Sequence, residues 1–178
     1  PVPCARVREG WSARPARGDG DCTRASPRLR KARGQLTGAA DTPGHLYGAA
    51  GEVIGSTHLG AVAGTQVVLD CGLCQGGAEM EASNADPFPF DVASIDALVI
   101  THAHIDHIGR VPLLVKRGFR GPIFAQQATA DLMPIMLLDS ASLAESDAER
   151  FNRRRAHGEP ERQPLYPKDD VADAMAVV

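Results

Sequence analysis

The sequence predicts a layered α/β fold, and three observations predict it. Short strand-like segments with β-branched residues cluster before residue 70, a continuous apolar run Ala97-Leu98-Val99-Ile100 has the length of a buried strand, and helical periodicity dominates after residue 105. A chain of 178 residues with 43% hydrophobic residues suits one domain with a real core, but only 4% are aromatic, so small aliphatic side chains must fill it.

The elements follow in order from about Leu46. Residues 58–63 and 65–69 read as two strands around a turn at Gly64-Thr65, with Val67-Val68 supporting the second. Residues 72–91, rich in Gly and Pro, read as a loop. After the strand at 97–100, a helix is expected from Asp106 to about Lys116. Ile108, Val111, Leu114 and Val115 share one face of it, and Gly118 is the stop. An acidic residue at a helix start interacts favourably with the dipole. Pro122–Ala125 makes another short strand. A long helical tract runs from about Thr129 to Arg155, broken or kinked near Pro134, and Val171–Val178 starts one more helix.

The chemistry is concentrated in Thr101-His102-Ala103-His104-Ile105-Asp106-His107, which holds three of the six histidines directly after the apolar run. Imidazole and carboxylate suit a borderline cation such as Zn²⁺, and alternate residues of an extended segment point the same way, so His102 and His104 can grip one ion. If the chain turns into a helix at Asp106, Asp106 and His107 can reach a second ion about 3.5–4 Å away, the separation typical of two-metal hydrolases. A His-rich solvated loop and a closed structural zinc site fit the composition too. The spacing speaks against the latter, because structural sites usually draw on cysteines placed further apart.

His-x-His-x-Asp-His at the end of a buried strand resembles the signature of the metallo-β-lactamase fold, whose members are mostly binuclear zinc hydrolases. Leu46–Ser56 resembles the opening strand and Gly-rich turn of the β-CASP ribonucleases, the branch related to the mRNA 3′-end-processing endonuclease. Val67–Gly72 resembles the strand ending in that family's first motif aspartate, here Asp70. Phe88-Pro89-Phe90, Ile95-Asp96-Ala97, Gly118–Ile123 and Ala128–Leu132 follow the usual order of the branch, so the resemblance covers about residues 46–178. It implies an αββα sandwich and zinc-dependent cleavage of RNA phosphodiester bonds. His102 and His104 would hold one ion, with Asp106 and His107 on the other. Asp106 would also orient the nucleophile as the catalytic residue, and Asp70 would support a ligand histidine from beneath the metals. The family completes its site with a further histidine and aspartate from the later half of the fold, and nothing after His107 resembles them. The chain is therefore expected to be the front half of the domain, one sheet and its helices without the facing sheet.

Other residues read more plainly. Cys71-Gly-Leu-Cys74 has the spacing of a redox motif or half a zinc knuckle, but no second pair lies at the right distance, which favours reduced, packed thiols. His58 on a strand and His157 in an Arg-rich segment read as structural or solvated. Arg153-Arg154-Arg155 reads as a solvated helix end.

Charge is uneven. Residues 1–33 carry nine Lys/Arg against three acidic residues, about +6, while the whole chain is −3, so the remainder is acidic. Residues 1–43, rich in Arg, Pro and Gly, lack sustained periodicity and read as a disordered leader ahead of a domain spanning 44–178. Such a leader suits a solvated tail, sequence wrongly joined ahead of the domain, an RNA-binding arm or a targeting segment. No apolar run approaches the roughly 18 residues that span a bilayer, and no signal peptide opens the chain, so a cytoplasmic protein with no membrane partner is expected; the RNA substrate is what the family resemblance implies. A thioester or lactam hydrolase on the same fold is the nearest competing reading. A non-catalytic metal- or RNA-binding fragment is the other.

Overall fold

The computed structural model describes residues 44–47, 55–62 and 64–178, so the leader at 1–43 lies outside the described residues. Five strands form one mixed sheet in the order β1-β2-β3-β4-β5. β1 (Gly44–Tyr47), β2 (Thr57–Val62) and β3 (Thr65–Leu69) pair antiparallel, with Gly64 at φ +81° making the tight turn between the last two. β4 (Ala97–Ile100) and β5 (Ile123–Ala125) extend the sheet in parallel from β3.

Register sorts the side chains. Val68, Leu98 and Ile123 stand in register across three strands and all are buried, with Ile100 on the same face. That face joins one core with Ile108, Val111, Leu114, Phe119, Met133, Leu137, Tyr166 and Val171 from the helical layer. The other face carries Leu69, Val99 and Phe124 in register, and Leu69 and Phe124 are exposed. One sheet with its helix layer is thus present, as expected for part of an αββα sandwich.

The helices differ from expectation in instructive ways. The single helix expected over 106–116 is two, α2 (Ile105–Ile108) and α3 (Val111–Lys116), separated by Gly109-Arg110, because Pro112 at the start of α3 has no amide to continue the ladder. The anticipated face, Ile108, Val111, Leu114 and Val115, is nonetheless wholly buried. Inside the expected loop 72–91, Ala78–Ala82 forms a helical turn, numbered α1 for its place in the chain, and Ser83–Ala85 a 3₁₀ turn. Ala-Glu-Met-Glu-Ala is helix-forming despite its Gly and Pro surroundings. Pro134 does not end α4 (Gln127–Arg154), since Met133, Leu137 and Ala141 bury successive turns on either side of the lost hydrogen bond. The last helix, α5, spans Lys168–Met175, starting earlier than Val171 because Asp169 and Asp170 suit a first turn after Pro167. Among the described residues no helix is long and apolar enough to cross a membrane.

Candidate metal centre

The His-rich turn emerges from the carboxyl end of β4, beside the carboxyl end of β3, the edge where parallel sheets usually place ligands. His104 is the residue ahead of α2, so Asp106 and His107 stand on its single turn while His102 stays on the extended segment. Backbone groups from two other strand ends hold this turn from behind. The Ser56 amide donates to the Asp106 carbonyl at 2.9 Å, the Cys71 amide to the His107 carbonyl at 2.7 Å, and the Leu73 amide to the Ile105 carbonyl at 3.1 Å. Gly72 lies so close that a Cβ there would overlap the Asp106 carbonyl, which explains a glycine in this position.

Beneath the turn sits Asp70, only 2% exposed and held at φ +58°, a left-handed conformation uncommon for a residue with a side chain. One carboxylate oxygen accepts from the Thr101 amide at 2.8 Å and from the Thr101 hydroxyl at 3.0 Å. The other accepts from the same hydroxyl at 2.8 Å and from His107 Nδ1 at 2.8 Å. A proton on Nδ1 leaves the His107 Nε2 lone pair available, the tautomer a metal ligand needs.

His102 and His104 meet above. His102 Nε2 and His104 Nδ1 are 3.1 Å apart, and the His102 ring lies 4.0 Å from the His107 ring between centroids. The nitrogen–nitrogen separation is a hydrogen-bond distance, and it is also close to the roughly 3.3 Å between two nitrogens bound to one tetrahedral zinc at ~2.0–2.1 Å. Asp106 Oδ2 is 3.6 Å from His107 Nε2. As the side chains stand, however, no group of three or more His, Cys, Asp or Glu among the described residues is arranged to hold an ion. The donor set fits a borderline divalent cation in chemistry, with three partly exposed imidazoles and a carboxylate over a buried carboxylate.

Sequence reasoning missed two contributors, Thr101 and Ser56. Thr101 ties both Asp70 oxygens and lies 3.0 Å from His102 Nδ1; its place directly before the motif was the available signal. Ser56 contributes its backbone, which no sequence pattern reveals. His58 is half-buried with Nε2 3.1 Å from Ser56 Oγ, and its Nδ1 is buried with no partner among the described residues. Burial holds His58 below the usual imidazole range; the Asp70 charge opposes that and His107 adds to it. His157 is exposed after α4, and Arg153 pairs with Glu149 at the solvated helix end. Cys71 and Cys74 are not joined in a disulfide, and burial pushes the Cys71 thiol up to about 12, as for an unreactive packed thiol.

Residues 51–170 match the family described as the Metallo-beta-lactamase superfamily, and the chain belongs to it. It is similar to ribonuclease TTHA0252 of Thermus thermophilus, at 48% identity over 72% of this chain and 26% of that protein. It is also similar to the transcription termination factor FttA of Methanosarcina mazei, at 38% identity over 49% of this chain and 14% of the relative. Endoribonuclease ysh1 of Aspergillus fumigatus is 28% identical over 72% of this chain and 15% of its own length. The chain spans about a quarter or less of each of these proteins.

Proposed function

We propose that this chain carries the metal-holding front of a zinc-dependent RNA phosphodiesterase of the β-CASP branch, acting in the cytoplasm. The observation that carries the reading is the convergence of His102 and His104 above the buried Asp70–His107 pair, at the strand edge where ligands gather. The RNA substrate is supported by the relatives named as ribonucleases. We place the domain boundary near residue 44, with the basic leader outside it, supported by a family match that begins at residue 51.

In this reading His102 and His104 would hold one ion, and Asp106 and His107 the other. Bound zinc supplies charge neutralisation at the phosphodiester and lowers the pKa of water towards neutrality. Asp106 would orient the attacking water by accepting a hydrogen bond from it. Asp70 fixes the His107 ring and its tautomer, and Thr101 fixes Asp70.

The test compares single-stranded RNA with a thioester as substrates for the full-length protein, with and without a chelator. The proposal expects RNA cleavage that the chelator abolishes and Asp106→Ala reduces by about a hundredfold or more. Thioester hydrolysis without RNA cleavage would move the function to another substrate class of the same superfamily. Metal binding with neither activity would leave a binding role.

A further inference from the structure

Each of four carbonyls along the turn from Ile105 to Gly109 is engaged by a different residue of the fold. Ile105, Asp106 and His107 accept from the backbone amides of Leu73, Ser56 and Cys71. The fourth, Gly109, accepts from a side chain: the Tyr166 hydroxyl donates to it at 2.8 Å across 57 residues of chain. Backbone clamps survive nearly any substitution, whereas this one depends on a single oxygen atom.

Tyr166 is 3% exposed, in the segment that leads into α5. Burial pushes its phenol up to about 12, with a Ser140 hydrogen bond from α4 acting against the rise, so the hydroxyl is a neutral donor at ordinary pH. Gly109, its acceptor, closes α2 through its own amide to Ile105 and packs on Leu73 too closely for any Cβ. A phenylalanine would fill the same apolar space, so packing alone does not explain the hydroxyl.

We propose that Tyr166 is a positioning residue for the metal centre: through the Gly109 carbonyl it fixes the end of α2, and with it the placement of the Asp106 and His107 side chains. The C-terminal segment thereby becomes part of the site although it contributes no ligand. This inference rests on reading the His-rich turn as a metal centre, and its test separates the two.

The test measures zinc affinity of the full chain by competition with a chromophoric chelator, alongside melting temperature. Four proteins are compared: wild type, Tyr166→Phe, His104→Ala, and Val171→Ala, which removes a buried side chain of the same layer that touches no residue of the turn by hydrogen bond. Tyr166→Phe should weaken zinc about tenfold, within the range for groups that orient metal ligands, and should alter the visible spectrum of the cobalt-substituted protein. Val171→Ala should lower the melting temperature at least as much while keeping wild-type affinity. Unchanged affinity and spectrum in Tyr166→Phe, with binding lost in His104→Ala, would overturn the Tyr166 role and leave the metal reading standing. Equal weakening by Val171→Ala would overturn it also, assigning the effect to general stability. A wild type that binds no zinc would overturn the metal reading and this inference with it.

Discussion

Asp70 and His107, 37 positions apart in sequence, meet at 2.8 Å between a carboxylate oxygen and Nδ1, and the carboxylate is almost wholly buried. An Asn at position 70 keeps the acceptor for the Thr101 amide but must present its NH₂ group to His107. That contact forces the ring proton onto Nε2, the nitrogen a metal needs. Asp70→Asn is therefore expected to weaken metal binding about 10–100-fold, with the His107 tautomer change visible in ring-nitrogen NMR. Asp70→Ala, which also strips partners from Thr101, should in addition destabilise the fold by about 3 kcal/mol. Wild-type metal affinity in Asp70→Asn would show that the carboxylate only closes the strand end.

Gly72 brings the end of β3 against the turn. Because an added Cβ would overlap the Asp106 carbonyl, Gly72→Ala must push α2 away and break the Ser56 or Cys71 clamp. A loss of about 3 kcal/mol by denaturant unfolding is expected, with metal affinity lowered together with stability. An unchanged midpoint would mean that the turn is not packed as described.

These two relationships mark where the sequence was legible and where it was not. The His-x-His-x-Asp-His spacing is what points to a donor set, because alternation on a strand and the switch to a helical turn are local rules. β4 was equally plain, since four apolar residues bounded by polar ones must be buried. Asp70 needed the family resemblance, because its partners Thr101 and His107 are 31 and 37 residues away and no local pattern carries that distance. The division between α2 and α3 was missed because the apolar face continues unbroken across Gly109-Arg110, so periodicity conceals a gap that Pro112 enforces. Ser56 and Tyr166 were invisible for a further reason: one acts through its backbone and the other on a carbonyl at the far end of the turn.

Buried acids outside the donor set predict an alkaline limit. Cys71 and Tyr166 are raised from 9.0 and 10.0 to about 12 each by burial. In the unfolded chain they release protons from about pH 9 upward, whereas the folded chain retains them, so the unfolded state binds fewer protons and stability falls with rising pH. Their contribution is fully present below about pH 9 and is lost as pH climbs to about 12. Urea midpoints measured across that range should fall, and the slope should flatten in Cys71→Ala combined with Tyr166→Phe. An identical slope in the double variant would assign the alkaline loss to other groups.

Metal content tests the central claim most directly. Zinc is measured in the purified full chain after exhaustive dialysis, for wild type beside His102→Ala, His104→Ala and Asp106→Ala. The account predicts that wild type retains zinc at fewer than two ions per chain, because His102, His104, Asp106 and His107 are only part of a binuclear ligand set, and that each histidine variant loses most of it while keeping a cooperative unfolding transition. A wild type that dialyses free of metal, or His102→Ala and His104→Ala proteins that keep the wild-type content, would contradict it.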